Sequence, residues 1–222
     1  MLFRLELLPH LYFGGDLNDG NPTFAVSSDD DHAMGDTSCD VDGSAIDCAG
    51  GAVSEGTHTF TVTATDAAGN SASASYTWYT DLTDPAVSID SAPADPSNDA
   101  APAFSVSSGD NYGLDSTVCD IDGATVDCTG GASLADGSHT FTATATDQAG
   151  NSASDSHTWT VDTIDPAVSI DSAPADPTND ASADFTVTSS DSGSGLASTV
   201  CDIDGTTVDC AGATVSEGSH TF

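Results

Sequence analysis

The sequence predicts an all-β chain built from tandem antiparallel β-sandwiches. Nearly the whole chain consists of copies of one unit of about 80 residues, which is the size of a small independent domain. Within each copy, apolar residues alternate with Ser and Thr, and this two-residue period is typical of strands with one buried face. No helical period occurs, and Gly, Pro, Asp and Asn separate the alternating segments as turns do in an antiparallel sandwich.

The unit is defined by motifs that return at a constant spacing. Gly-Thr-His-Thr-Phe at 56–60 returns as Gly-Ser-His-Thr-Phe at 137–141 and at 218–222. Thr-Asp-Ala-Ala-Gly-Asn at 65–70 returns as Thr-Asp-Gln-Ala-Gly-Asn at 146–151. These copies predict an atypical amino-terminal segment, a first repeat that lacks a recognisable first strand, a complete second repeat, and a third repeat that stops within the unit: residues 1–20, 21–83, 84–164 and 165–222.

The second repeat shows the predicted strands in order. Val and Ile alternate with polar residues at 87–89, and Ala-Pro-Ala-Asp-Pro at 92–96 ends that strand. Phe and Val alternate again at 104–106. From 138 to 146 the alternation is strict, with Phe and Ala on one face and Thr on the other. Trp and Val alternate with Thr at 158–161, which we interpret as the last strand.

Two cysteines occur in every repeat at the same separation. A four-residue loop at 122–125 would place Ile121 opposite Val126 and Cys119 opposite Cys128, within disulfide reach. The same register in all copies predicts one disulfide per repeat, formed in an oxidising compartment. The pairs are Cys39 with Cys48, Cys119 with Cys128, and Cys201 with Cys210.

Each such bond is expected to contribute about 2.5–3 kcal/mol in the chain-entropy model. Zinc is the alternative use of these cysteines, with His58, His139 or His220 as a third ligand. The spacing of the cysteines is unlike the short knuckles of structural zinc sites, and no fourth ligand recurs.

The composition is extremely acidic. Asp and Glu total 36 residues against a single Lys or Arg, for a formal net charge of −35. A polyanion cannot displace counterions from nucleic acid, so we exclude a nucleic-acid partner, as well as an anionic membrane surface unless a cation bridges the two. No segment is long enough to insert into a bilayer. The acidity is explained either by solubility in a salty environment or by binding of divalent cations, and the two explanations are compatible.

Taken together, three motifs resemble the bacterial immunoglobulin-like repeats of large secreted and cell-surface, adhesin-type proteins. They are Cys-x-(Ile/Val)-Asp-Gly-x4-Cys, then Gly-x-His-Thr-Phe-x-(Val/Ala)-x-Ala-Thr-Asp-x-Ala-Gly-Asn, then Thr-Trp-x-x-Asp-x-x-Asp-Pro. The resemblance covers roughly residues 21–222. It implies tandem immunoglobulin-like β-sandwiches of seven strands, exposure outside the cell or on its surface, and a role as a stalk or adhesive module. It implies no particular ligand.

A calcium site is the one chemical hypothesis that this fold supports. The amino terminus of such a sandwich, the loop after its second strand and the loop before its last strand lie at one pole. Oxygen ligands that converge there are what Ca²⁺ needs. The alternative is that Asp-x-Ala-Gly-Asn serves only as a tight turn. The candidate ligands are Asp81 and Asp84 in the linker, Asp110, Asn111 and Asp115 in the second loop, and Asp147 and Asn151 in the third.

No motif predicts catalysis. A nucleophile elbow, a His-Glu-x-x-His pair and a phosphate loop are all absent from the sequence. Three of the six histidines occupy the same repeated position, whereas a catalytic site is unique. We therefore expect a non-catalytic spacer or adhesive module, or alternatively the accessory modules of a secreted polymer-degrading hydrolase.

The expected partners are neighbouring repeats and a cell-surface or polysaccharide ligand of unknown identity. Carbohydrate binding by the repeats would need exposed aromatic side chains, and only Tyr79 is expected to point outward.

Overall fold

The computed structural model describes residues 20–26 and 34–222, so the predicted amino-terminal segment lies outside the described residues except for Gly20. The described residues form strands and turns without a helix, which confirms the all-β prediction. Accordingly, no helix in this part of the chain is long and apolar enough to cross a membrane. The chain divides into two compact units. The first comprises the described residues up to Asp90 with Val106–Asp120 and Thr142–Ser156, and the second comprises Ser91–Ser105, Ile121–Phe141 and His157–Phe222.

The first repeat forms one four-stranded antiparallel sheet in the order β2-β1-β3-β4. Its long central strand alternates between buried apolar side chains and half-exposed Thr, as the sequence pattern predicts. The strands are β1 (Met34–Val41), β2 (Ser44–Ile46), β3 (Gly56–Asp66) and β4 (Ser71–Thr80).

The second repeat contains an equivalent four-stranded sheet, in the order β10-β9-β7-β8. In addition, β5 pairs with β6. Phe141, Ala143 and Ala145 are completely buried, and so is Trp159, which confirms the two faces predicted for these strands. The strands are β5 (Ala86–Ser91), β6 (Ser105–Gly109), β7 (Leu114–Ile121), β8 (Ala124–Val126), β9 (Gly137–Asp147) and β10 (Ser152–Val161).

The third repeat contains three two-stranded pairs: β11 with β13, β12 with β16, and β14 with β15. Both apolar side chains of β11, Val168 and Ile170, are exposed. The strands are β11 (Ala167–Ser172), β12 (Ser182–Asp184), β13 (Thr186–Ser190), β14 (Cys201–Ile203), β15 (Thr206–Val208) and β16 (Gly212–Thr214).

A stacked pair of Phe rings occurs in every repeat, buried in the first two and half-buried in the third. The ring centroids are 3.9 Å apart in the first and second repeats and 3.7 Å apart in the third. In the first two repeats a Trp packs edge-on against the pair, at 5.4 Å and 5.3 Å. Such aromatic pairs contribute more than their buried area alone, which matters in a domain of this size. The pairs are Phe24 with Phe60, Phe104 with Phe141, and Phe185 with Phe222.

The predicted register of the cysteine hairpin is wrong by two residues. In the first repeat Cys39 lies opposite Ile46, and Val41 lies opposite Ser44. In the third repeat Cys201 lies opposite Val208. The loop has two residues instead of four because Asp-Gly adopts positive φ at both positions, 54° and 80° in the first repeat. A two-residue turn of this kind matches the twist of the strands that it joins.

The predicted disulfides are confirmed despite the shifted register. Cys39 and Cys48 are bonded with their Cα atoms 5.1 Å apart, and Cys201 and Cys210 have the same separation. Cys119 and Cys128 are also disulfide-bonded. The second cysteine of each pair lies beyond the short strand and reaches the first across the end of the hairpin. None of the cysteines is free, so in this structure all six are used in disulfides.

The Asp of each Asp-Gly hairpin turn is also hydrogen-bonded to the histidine that recurs in every repeat. In the second repeat Oδ2 of Asp122 lies 2.7 Å from Nδ1 of His139, and Oδ1 accepts the backbone N–H of Thr140 at 2.9 Å. The Nε2 atom of His139 lies 2.9 Å from the carbonyl oxygen of Ala135. The first and third repeats build the same arrangement around His58 and His220.

This geometry fixes the protonation of the histidine. A carboxylate and a carbonyl only accept hydrogen bonds, so both ring nitrogens must donate, which requires the imidazolium form. Because His139 donates to Asp122 and to the Ala135 carbonyl, its pKa lies above the ordinary value of 6.5. The same bond, with the N–H of Thr140, holds the pKa of Asp122 below 3.8.

A pH dependence follows with a definite sign. The stabilisation from His139 is complete below pH 6.5 and is lost as the pH rises through its raised pKa. The stabilisation from Asp122 is complete above pH 3.8 and is lost as the pH falls through its lowered pKa. The free energy of unfolding should therefore be highest between roughly pH 4 and 6.5 and decrease on the alkaline side.

Replacing Asp122 with Asn tests the arrangement. We expect the His139 pKa, followed by NMR titration, to drop towards 6.5, and the free energy of unfolding at pH 5.5 to fall by no more than about 1 kcal/mol, because Asp122 is half exposed. The matched variant Asp204→Asn should lower the pKa of His220 and leave that of His139 unchanged. A wild-type His139 that titrates at or below 6.5 would contradict the assignment.

Candidate metal site

Three carboxylates converge within the first compact unit. Asp81 follows β4, Asp110 follows β6, and Asp147 is the last residue of β9. One oxygen from each lies within 4.8 Å of the others, and within the described residues this is the one group of three acids placed to hold a metal ion. Asp81 and Asp147 are only 1% and 2% exposed. The strand ends therefore bring together, in a buried position, side chains that are far apart in sequence.

Asp147 is fixed by the turn that follows it. Its Oδ1 accepts the backbone N–H groups of Gly150 and Asn151 at 2.7 Å and 2.8 Å. Its Oδ2 accepts a hydrogen bond from Nδ2 of Asn151 at 2.8 Å. The same amide also donates to the carbonyl oxygens of Asp81 and Thr83. The turn interpretation and the ligand interpretation of Asp-x-Ala-Gly-Asn are thus compatible, because the turn positions the carboxylate.

The other two carboxylates each keep one oxygen without a partner. Oδ2 of Asp110 accepts the N–H groups of Tyr112 and Gly113 at 2.7 Å and 2.9 Å, while its Oδ1 is buried and makes no hydrogen bond. Oδ1 of Asp81 accepts the N–H of Thr83 at 3.2 Å, while its Oδ2 is likewise buried and unpaired. Buried carboxylate oxygens without a partner are costly, so these two atoms indicate a ligand.

Within the described part of the chain, no Lys or Arg lies here to compensate the charge. The one basic residue is Arg4, so the described residues contain no Lys or Arg. Burial, and after it the negative charges of Asp110 and Asp147, raise the pKa of Asp81. The hydrogen bonds from Gly113 and Tyr112 lower the pKa of Asp110. The charged form is therefore disfavoured at Asp81 and favoured at Asp110. A bound cation would stabilise the charged form of both carboxylates.

The structure brings together four of the seven candidate ligands. Asp81, Asp110 and Asp147 supply carboxylate oxygens, and Asn151 orients Asp147 and the linker carbonyls. Asp84 and Asp115 are exposed and lie outside the group. Asn111, the further candidate, is also exposed and donates to Oε1 of Glu55 at 2.8 Å.

Comparison with known families identifies the fold that carries this site. The model described as Bacterial Ig-like domain matches residues 79–163. The second repeat is a bacterial immunoglobulin-like domain. A model described as Putative Ig domain matches residues 44–80, in the first repeat. No curated protein matches the chain at a significant level.

The whole carboxylate group falls inside the match to the bacterial Ig-like domain. Asp81 lies near its start and Asp147 near its end, so the site belongs to the pole of a single domain as the family model delimits it. Families of Ig-like domains are structural or adhesive modules and are typically non-catalytic.

Residues of the first repeat contact this pole of the Ig-like domain. Oε2 of Glu55 accepts a hydrogen bond from the hydroxyl of Thr83, and Oε1 accepts one from Asn111. The rings of Tyr79 and Tyr112 stack at 4.1 Å with an interplanar angle of 8°. The sequence did not predict these contacts, although one signal was available: Glu55 is one of only three Glu in the chain.

The second compact unit repeats part of the arrangement. Asp162 and Asp191 stand at the positions of Asp81 and Asp110, and Oδ1 of Asp191 is again buried without a partner. Asp136 stands at the position of Glu55 and accepts from the N–H and the hydroxyl of Thr163 at 2.9 Å and 2.8 Å. No aromatic pair accompanies these residues in the described structure of this unit, since Thr160 replaces Tyr79.

Proposed function

We propose that the chain is a non-catalytic structural and adhesive repeat module that forms an extended stalk of a secreted or surface-anchored protein. Bacterial Ig-like domains often occur in extracellular or surface proteins. Disulfides in every repeat are in keeping with an oxidising compartment. The high negative charge favours solubility and keeps copies of the chain apart.

The contacts between the first and second repeats carry this proposal. Glu55 bonds to Thr83 in the linker and to Asn111 in the following loop, and the Tyr79–Tyr112 stack lies beside them. The linker is short and is followed by Pro85. A short linker held by side chains from both repeats restricts rotation between them, which is what a stalk needs.

Small-angle X-ray scattering tests the stalk. Strands of eight to ten residues give roughly 30 Å per domain, so three domains in line should reach about 100 Å. Replacing Glu55 with Ala removes two hydrogen bonds at the first junction and should increase the flexibility visible in the scattering curve. A compact particle, or wild-type repeats that move as freely jointed beads, would contradict the proposal.

We also propose that the group Asp81, Asp110 and Asp147 binds Ca²⁺. Two buried oxygens without partners support this, as does the absence of Lys and Arg from the described residues. Calcium accepts six to eight oxygen ligands in flexible geometry, including carbonyls and waters, whereas Mg²⁺ requires a near-ideal octahedron. The three carboxylates come from three separate segments, a geometry that suits the more adaptable ion.

Thermal unfolding with and without calcium tests this site. At a free calcium concentration of ten times Kd, calcium should add about 1.4 kcal/mol to the free energy of unfolding, because it binds only the folded state. Asp81→Asn should abolish this increment. In chelator the same variant should be no less stable than the wild type, since it removes a buried charge that nothing compensates.

The controls separate binding from screening. The variants Asp84→Asn and Asp115→Asn remove the same charge at exposed positions outside the group, and they should keep the calcium increment. Sodium at matched ionic strength measures general screening of the negative charge. If sodium reproduces the whole effect, or if Asp81→Asn responds to calcium like the wild type, the carboxylates do not bind calcium.

A further inference from the structure

An aromatic groove of about 320 Å³ lies beside Asp81 in the first compact unit. Three of the four Tyr of the chain and one of its two Trp line it. The sequence offered only Tyr79 as an outward aromatic, so this concentration of rings was not predicted. Its main lining residues are Tyr76, Trp78, Tyr79, Tyr112, Asp81 and Gln148.

The rings are held in place and remain accessible. Tyr79 and Tyr112 are stacked almost parallel, which restricts both side chains. Tyr112 is nevertheless 50% exposed and Tyr76 is 39% exposed. The groove thus presents rigid aromatic surface to solvent, in a chain whose exposed faces are otherwise rich in Ser, Thr and Asp.

The electrostatics of the groove favour a cation. Asp81 lines it with a buried carboxylate whose Oδ2 has no partner. The faces of Tyr and Trp rings attract cations directly. No Lys or Arg of the described residues competes for this position.

We propose that this groove binds a small organic ammonium ion that carries no anionic group. Cation–π contacts with the tyrosine rings and the charge of Asp81 would hold it. A metal ion does not fit, because ring faces supply none of the hard oxygen ligands that Ca²⁺ or Mg²⁺ requires. An anionic ligand, such as a phosphate-bearing headgroup, is disfavoured by the carboxylates and by the net charge of −35.

Choline titrated into the full chain tests the proposal by NMR. The control ligand is its neutral carbon analogue, in which a tert-butyl group replaces trimethylammonium, so that shape is kept and charge is lost. The analogue should bind roughly three- to thirtyfold more weakly, the range expected of a cation–π contribution. Equal binding of the two ligands, or no binding of choline at tens of millimolar, would overturn the proposal. Equal binding would instead indicate a neutral ligand such as a sugar.

Variants locate the site. Tyr112→Leu keeps an apolar side chain without a ring and should weaken choline binding severalfold, whereas Tyr112→Phe keeps the ring and should bind as the wild type does. Asp81→Asn should weaken binding, and the matched Asp162→Asn should not. Asp162 lines a cavity of about 440 Å³ that has no aromatic residue, so signals from that cavity should stay unchanged. Loss of binding in Tyr112→Phe, or full binding in Tyr112→Leu, would overturn the assignment.

All titrations are run in chelator, which keeps this test separate from the calcium proposal. A chain that binds choline and ignores calcium supports the groove and contradicts the metal site. A chain that binds calcium and ignores choline does the reverse.

Discussion

The absence of Lys and Arg from residues 20–26 and 34–222 constrains how this molecule stabilises its carboxylates. A buried or half-buried carboxylate is normally compensated by a side-chain cation, and the described residues contain none except protonated histidine. The carboxylates are instead satisfied by backbone N–H groups of turns, as at Asp110 and Asp147. Asp suits this role better than Glu, because its short side chain reaches N–H groups two to four residues ahead. The dominance of Asp among the acids thus has a structural reason as well as an electrostatic one.

Where the backbone does not suffice, the chain uses two further devices. One is the imidazolium of the repeated histidine, which pairs with the Asp of the hairpin turn in all three repeats. The other is the group at Asp81, where two oxygens remain without any donor and where we propose that a bound cation compensates the charge. The histidine pairs make stability depend on pH, and the proposed cation would make it depend on the ion content of the solution.

Local patterns predicted most of the fold, and long-range contacts were beyond them. Alternation of Phe141, Ala143 and Ala145 with Thr correctly assigned the faces of β9, because side chains alternate along any strand. The cysteine register was wrong because the positive φ of Asp122 and Gly123 shortens the turn, a conformation that the Asp-Gly pair itself favours. At the candidate site, the expectation that the linker and two loops meet at one pole of the sandwich predicted Asp81, Asp110 and Asp147. The partners of Glu55 were not predictable, since Asn111 lies 56 residues away and nothing in a single sequence links the two.

Each disulfide lies across the end of its own hairpin, and this position helps similar neighbouring repeats to avoid pairing with one another during folding. Six cysteines allow fifteen pairings, and the repeats are similar enough for strands of one copy to resemble those of the next. The bonded cysteines are separated by nine residues, whereas the nearest cysteine of the next repeat is about seventy residues away. Loop closure over the shorter span is favoured roughly twentyfold on entropy alone. Chain entropy therefore favours a disulfide within a repeat over one between repeats, so that each bond links residues of the same copy.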